Sequence, residues 1–188
     1  MSTPTPPAPL PPEVYGLFSG PINAETLARI VNGLTTASAN KVQHLYLMFH
    51  STGGNVGEGI TLYNLFRSLP FSLTLYNAGL VASIGVPAYL GAAHRVVTQH
   101  GMFMIHRTQV PYTQGTPAKR VQTVVDAALL DDKRTEAILR EHITMPEELW
   151  RKFDHDDLYF SGEDAVKYGI AHEIGEFSPP TGARIYYV

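Results

Sequence analysis

A strand, a glycine-containing turn and a helix follow one another repeatedly in this chain, and that order limits its fold more than any other feature. Val42 to His50 (VQHLYLMFH) is apolar and aromatic, as a buried strand would be, and runs into Ser51-Thr52-Gly53-Gly54-Asn55. A helical pattern through Ile60, Tyr63 and Phe66 follows. It must stop before Pro70, because the residue ahead of a proline is driven out of helical geometry. The unit then recurs: Leu73 to Tyr76 reads as a strand, Asn77-Ala78-Gly79 as a turn and Ala82 to Ala92 as a helix. Upstream, Val14 to Phe18 reads as a short strand. Asn23 is suited to cap a helix whose Leu27, Ile30, Val31 and Leu34 share one face. Arg95 to Thr98 and Met102 to His106 read as two more strands. Strands alternating with helices predict an α/β fold with a largely parallel sheet.

The second half is more helical. Residues 107–116 are polar and are expected to form an exposed loop or hairpin, and a long helical pattern runs from Pro117 to about His142. Pro117 suits a first helical turn; Val121, Val124, Val125, Ala128 and Leu129 form an apolar stripe, as do Ile138 and Leu139 further on. Thr144 and Glu147 have capping-box spacing ahead of a short helix through Trp150. Leu158 to Phe160 reads as a strand; Ser161 and Asp164 can cap a last helix that Gly169 ends. Residues 1–12 carry six prolines and are expected to be a flexible arm, with a docking peptide as the other reading.

Composition removes several classes of function. The 188 residues suit one domain, here 13–188, and carry a formal net charge of -3 with no long single-sign run. That gives no electrostatic case for nucleic acid or for an anionic membrane. Cysteine is absent, so disulfides and thiol catalysis are excluded. No apolar run approaches the roughly 18–20 residues that span a bilayer. The start, MSTPTPPAPLPP, is not a signal peptide, and a cytoplasmic location is expected. None of the eight histidines forms an HExxH-type pair, and no Gly-Lys-Ser/Thr follows the Gly53-Gly54 turn; no metal and no cofactor is expected.

Four segments bear residues that can do chemistry. Ser83, within Gly79-Leu-Val-Ala-Ser83-Ile-Gly85, lies between a strand and a helix among small residues. A serine there is most commonly a helix N-cap. The same place also sets a hydroxyl beside free backbone N–H groups that would stabilise an oxyanion. Gly53-Gly54 is a plain turn, or a place where a substrate backbone can approach closely. His106 closes a strand, which fixes its imidazole and exposes it to the following loop. Most histidines are simply packed or solvated, and His50, beside the glycine turn, is given no step. Asp154, Asp156 and Asp157 precede Leu158, and one of them could orient His106. At least two belong to a solvated acidic turn.

Taken together and in order, these residues resemble the Clp protease proteolytic subunit, within the ClpP/crotonase superfamily, from about Val14 to Ile174. Ser51-Thr52-Gly53-Gly54 matches the family's Ser-Pro-Gly-Gly. Ala82-Ser83-Ile84-Gly85 matches its Ala-Ser-Met-Gly-like turn, and Met104-Ile105-His106 its Met-Ile-His. The family's aspartate stands four residues before the serine of a segment here represented by Tyr159-Phe160-Ser161 to Tyr168-Gly169-Ile170. That register selects Asp157, with Asp156 the runner-up. The resemblance implies a spiral of β-β-α units with a protruding handle at about 107–142. It implies a Ser83-His106-Asp157 triad, an oxyanion hole from the Gly54 and Ile84 N–H groups, and substrate contacts at Gly53, Asn55, Val56 and Thr108. It further implies peptide or unfolded-protein substrates cut inside two stacked homo-oligomeric rings, commonly of seven subunits, and an AAA+ unfoldase partner. Thr52 and Ile84 depart from the family's proline and methionine, and the stretch from Ser83 to His106 is slightly short. The axial-loop segment that helps engage an unfoldase is replaced by the Pro-rich arm. A crotonase-type acyl-CoA enzyme and a non-catalytic ring subunit are the alternatives; residues in all three triad positions argue against both.

Overall fold

The computed structural model describes residues 9–110 and 114–188. The expectations for residues 1–8 of the arm and 111–113 of the loop lie outside the described residues. Nine strands and six helices follow one another as β1 (Glu13–Ser19), α1 (Ala24–Ala39), β2 (His44–His50), α2 (Val56–Arg67), β3 (Ser72–Asn77), β4 (Leu80–Ala82), α3 (Gly85–Leu90), β5 (His94–Val97), β6 (Met102–Ile105), α4 (Ala118–His142), α5 (Glu147–Phe153), β7 (Leu158–Phe160), α6 (Gly162–Lys167), β8 (Glu173–Ile174) and β9 (Ile185–Tyr187) among the described residues.

The strands form two sheets. The larger has the order β8-β5-β3-β2-β1-β9 and is parallel throughout, which is why helices α1, α2 and α3 lie between its successive central strands. The smaller has the order β4-β6-β7, with β4 parallel and β7 antiparallel to β6. An isolated parallel bridge from Ser51 to Val81 brings the end of β2 to the edge of this smaller sheet. Each turn of the chain therefore repeats one plan: a strand in the large sheet, a strand or bridge in the small sheet, then a helix. This is the β-β-α spiral.

Local chemistry accounts for most elements. The Asn23 side chain accepts the Thr26 N–H at 2.9 Å, while Thr26 Oγ1 accepts the Asn23 N–H at 2.9 Å, a reciprocal cap on α1. The buried stripe of α1 runs through Thr26, Ile30, Leu34 and Ala37, so Val31 lies outside it and is 39% exposed. Strand β2 is not buried on both faces. Leu45, Leu47 and Phe49 enter the core, whereas His44, Tyr46 and Met48 are half-buried on the other face. Rings rather than helices cover part of that second face: Tyr15 stacks on Tyr46 at 4.9 Å, and Phe177 meets Tyr76 at 5.3 Å.

Three expectations change. Ala82–Ala92 is not one helix: Leu80–Ala82 is claimed by pairing with Met102–Met104 of β6, and α3 starts only at Gly85. Thr144 does not cap α5. Its N–H donates to the Tyr168 carbonyl at 2.8 Å, and Pro146 takes the N-cap. Pro117 is likewise the N-cap of α4 rather than part of its first turn. Along α4 only Ile138 and Leu139 are buried, and Leu129 and Leu130 are more than half exposed.

Candidate active site

Ser83 lies immediately after β4 with φ +57, a left-handed conformation that a residue with a Cβ adopts only when its surroundings enforce it. The enforcement is visible. The Ser83 N–H donates to the Met104 carbonyl of β6 at 2.8 Å, and the Ser83 carbonyl accepts the Val86 N–H of α3 at 3.0 Å. Ser83 is thus pinned between a strand and a helix, half-buried, and is not the N-cap of α3; Ile84 is.

The glycine turn completes this packing. A Cβ on Gly53 would lie 2.5 Å from the Ser83 Cβ and 3.0 Å from its Oγ, at φ +91. One on Gly54 would lie 2.1 Å from the Ile22 carbonyl oxygen. Both positions therefore require glycine, the first to let the loop pass Ser83 and the second to let it pass Ile22. Buried Ser51 organises the turn, its Oγ accepting the Gly53 N–H at 3.1 Å. The backbone of Ser51 also pairs with β4 through both of its polar groups, its N–H donating to Leu80 O and its carbonyl accepting the Ala82 N–H. His50 is turned to another task, its Nδ1 accepting the Leu80 N–H at 3.3 Å.

His106 follows β6. Because Ala82 of β4 pairs with Met104, Ser83 and His106 emerge from neighbouring parallel strands, and His106 Nε2 meets Ser83 Oγ at 2.8 Å. That is a hydrogen bond of ordinary length, with the imidazole able to accept the hydroxyl proton. On the other side of β6, Ile105 pairs with Leu158 of antiparallel β7, a register whose next step sets His106 against Asp157. Asp157 is exposed and lines a cavity together with His106, Phe153, Asp154 and Asp156. His106 Nδ1 is buried and has no hydrogen-bond partner among the described residues. Asp154 lies exposed in the turn after α5 and is ion-paired there with Arg107.

A second cavity, of about 260 Å³, opens on Ser83 and His106. Gly54 and Ile84 line it beside the hydroxyl, Val56, Pro87, Ile105 and Leu139 give it apolar walls, and Thr108 and Thr135 add hydroxyls. Of the four residues expected to touch substrate, Val56 and Thr108 line this cavity. Gly53 and Asn55 do not: Gly53 is buried beneath Ser83, and the Asn55 N–H donates to the Ile22 carbonyl at 2.8 Å. Arg107, Pro87, Thr135 and Leu139 were not among the residues expected from sequence. Arg107 alone carried a signal, its place next to His106.

The comparisons with known proteins agree with this architecture. The Clp protease family model matches residues 15–178, and the chain belongs to that family. The ATP-dependent Clp protease proteolytic subunit 2 of Thermobifida fusca is 26% identical over 167 residues, 87% of this chain and 81% of that one. Subunit 4 of Rhodococcus jostii is 31% identical over 139 residues, covering 69% of this chain and 66% of its own. Among solved structures, a ClpP1 mutant from Listeria monocytogenes superposes with a TM-score of 0.73 at 24% identity, covering 87% and 91% of the two chains. Among the described residues no helix is long and apolar enough to cross a membrane, and no group of three or more ligating side chains is placed to hold a metal ion.

Proposed function

We propose that this protein is a serine endopeptidase that hydrolyses peptides and unfolded proteins through Ser83, His106 and Asp157. The observation that carries the reading is the 2.8 Å contact between His106 Nε2 and a Ser83 Oγ held at positive φ beside a cavity. Ser83 Oγ attacks the peptide carbonyl carbon while His106 Nε2 takes its proton. The imidazolium then gives that proton to the leaving amine, and water hydrolyses the acyl-enzyme by the reverse transfers. The Gly54 and Ile84 N–H groups hold the oxyanion. Asp157, favoured over Asp156 by the β6–β7 register, orients the imidazole and stabilises its charged form. Substrate lies extended between the Gly53–Val56 segment and the loop after His106, as an added strand.

In this reading residues 13–188 act as one peptidase domain, with residues 1–12 as an arm and a handle at about 107–142 that joins two homo-oligomeric rings. Rings around a chamber would restrict a general triad to substrates able to enter, in a cytoplasmic setting. The relatives named ATP-dependent Clp protease subunits support an AAA+ unfoldase as partner.

The test is hydrolysis of a fluorogenic peptide by wild type and Ser83→Ala, beside native mass measurement. Ser83→Ala is expected to lose about 10⁴-fold or more in kcat with assembly unchanged, on the pattern of other serine triads. Near wild-type hydrolysis by Ser83→Ala would overturn the reading.

A further inference from the structure

The residue after His106 is tied down more heavily than any loop position needs. Arg107 Nη1 donates to Glu136 Oε2 of α4 at 2.7 Å, and Nη2 donates to Asp154 Oδ1 in the turn between α5 and β7. Its guanidinium also lies 4.4 Å over the ring of Phe153. The next residue adds a further tie to α4, the Thr108 N–H donating to Asp132 Oδ1 at 2.7 Å. Asp132 and Glu136 are one turn apart and so share a face of the helix. Three elements therefore converge on the residues just past the base: strand β6, which ends one residue before His106, the long helix and the acidic turn. The Arg107 and Glu136 side chains are each only 25% exposed, so this pair is shielded more than a typical surface ion pair. Partial burial works against the Arg107 charge, yet its hydrogen bonds to Asp154 and Glu136 raise its pKa overall.

The acidic turn is where the clamp matters. Asp154, the residue Arg107 grips, lies three positions before Asp157. Asp157 reaches the register position across from His106 only if β7 and the turn ahead of it stay docked on β6. Arg107 also lines both cavities, the one on Ser83 and the one shared by His106 and Asp157.

We propose that Arg107 is a positioning residue, clamping the 154–157 turn and helix α4 to the His106 loop so that Asp157 stays within reach of the imidazole. The proposal rests on the serine-peptidase reading and adds to it a residue outside the triad and the oxyanion hole. Arginine suits the task because its planar fork serves two carboxylates at once while its face stacks on Phe153. A lysine ammonium could hold one carboxylate but not the same geometry.

Full-length wild type, Arg107→Met and Arg107→Lys distinguish this from a purely structural ion pair. Arg107→Met is expected to lower kcat for a fluorogenic peptide by about 10²-fold, the scale of an ångström-sized misplacement, with KM within about twofold. Arg107→Lys should recover about a tenth of the wild-type rate. A second readout does not depend on turnover: titration of the labelled His106 imidazole by NMR. Removing a neighbouring cation would by itself raise the His106 pKa, whereas losing Asp157 would lower it. The proposal expects it to fall in Arg107→Met. An unchanged kcat, or a His106 pKa that rises, overturns it. If wild type shows no Ser83-dependent hydrolysis, the peptidase reading fails, and the titration still decides the clamp. If Arg107→Met does not fold, Asp154→Asn keeps Arg107 on Glu136 and Phe153 and must show the same loss of kcat. A folded Asp154→Asn at wild-type rate overturns the clamp.

Discussion

The two sides of His106 are built differently. On its Nε2 side, Ser83 is fixed by a strand, a helix and a glycine turn with no room for a methyl group, and the hydrogen bond to the imidazole is already formed. At Nδ1 the ring nitrogen is buried without a hydrogen-bond partner among the described residues, and the exposed Asp157 lines a cavity with His106. An unpaired buried nitrogen is unfavourable, so this side gains by closing onto a carboxylate or a bridging water. The contrast teaches that the two halves of such a site need not be equally preorganised. The nucleophile half is dictated by packing, and the acid half by how firmly a turn is held.

The most severe way to break that comparison is at its open side. Asp157→Asn is expected to lower kcat by about 10⁴-fold, no more than the loss on removing the nucleophile, because the imidazole is already placed on Ser83. Asp156→Asn should stay within about threefold, since extending the β6–β7 register sets it against Arg107 rather than His106. Equal losses for Asp157→Asn and Ser83→Ala, measured on one peptide, would show both sides to be equally tight. Reversed losses for the two aspartates would move the third role to Asp156.

The closed side is probed by Gly53→Ala. Its methyl group has to displace Ser83, and its backbone sits at φ +91, so a loss of about 2 kcal/mol in stability and at least tenfold in kcat is expected. Chemical denaturation and steady-state kinetics together check it. Unchanged kcat would mean that Ser83 is not held from below.

A gentler probe is pH. Burial, as the largest effect, depresses the pKa of His44, His142 and His172 below the ordinary imidazole value. The unfolded chain therefore binds protons first as the pH drops. The stability these groups contribute is fully present above about pH 6.5 and is lost as the pH falls through their folded-state values. Hydrogen bonds from arginines hold the Asp154 and Glu136 carboxylates low despite the opposing effect of desolvation, so their contribution disappears in a lower, more acidic window. The thermal midpoint is expected to fall steadily between about pH 7.5 and pH 5, and His142→Gln should reduce the slope. A midpoint that rises on acidification would contradict the sign.

Much of this was legible in the sequence, and what escaped has particular causes. Val14–Phe18 and Leu158–Phe160 carried enough β-favouring residues, and Asn23 and Ser161 enough capping chemistry, to be read locally. Ser83 and His106 were legible as types in a recurrent order, but nothing local indicated the left-handed backbone of Ser83; it arises from bonds to Met104 and Val86. Strand β4 was not read, and Ala82 was placed in a helix, because the pairing partner of Leu80–Ala82 lies more than twenty residues away. Thr144 had capping spacing, but the Tyr168 carbonyl competed for its backbone. The two-residue β8 and the edge strand β9 were too short to show a period. Arg107 was marked only by its place after His106, because the carboxylates it binds lie 29 and 47 residues further along the chain.

Helix α4 has a mechanical consequence. Its buried contacts gather at Ile138 and Leu139, close to one end, while Ala118 stands about 30 Å away along the axis at 1.5 Å per residue. A rod anchored that way is a lever with its fulcrum beside the site. A tilt of about 5° would carry the far end roughly 2.5 Å over that length, yet shift Asp132 and Glu136 by less than about 1 Å. Those two residues touch Thr108 and Arg107. A large displacement at the tip thus becomes a small, stiff adjustment beside the imidazole.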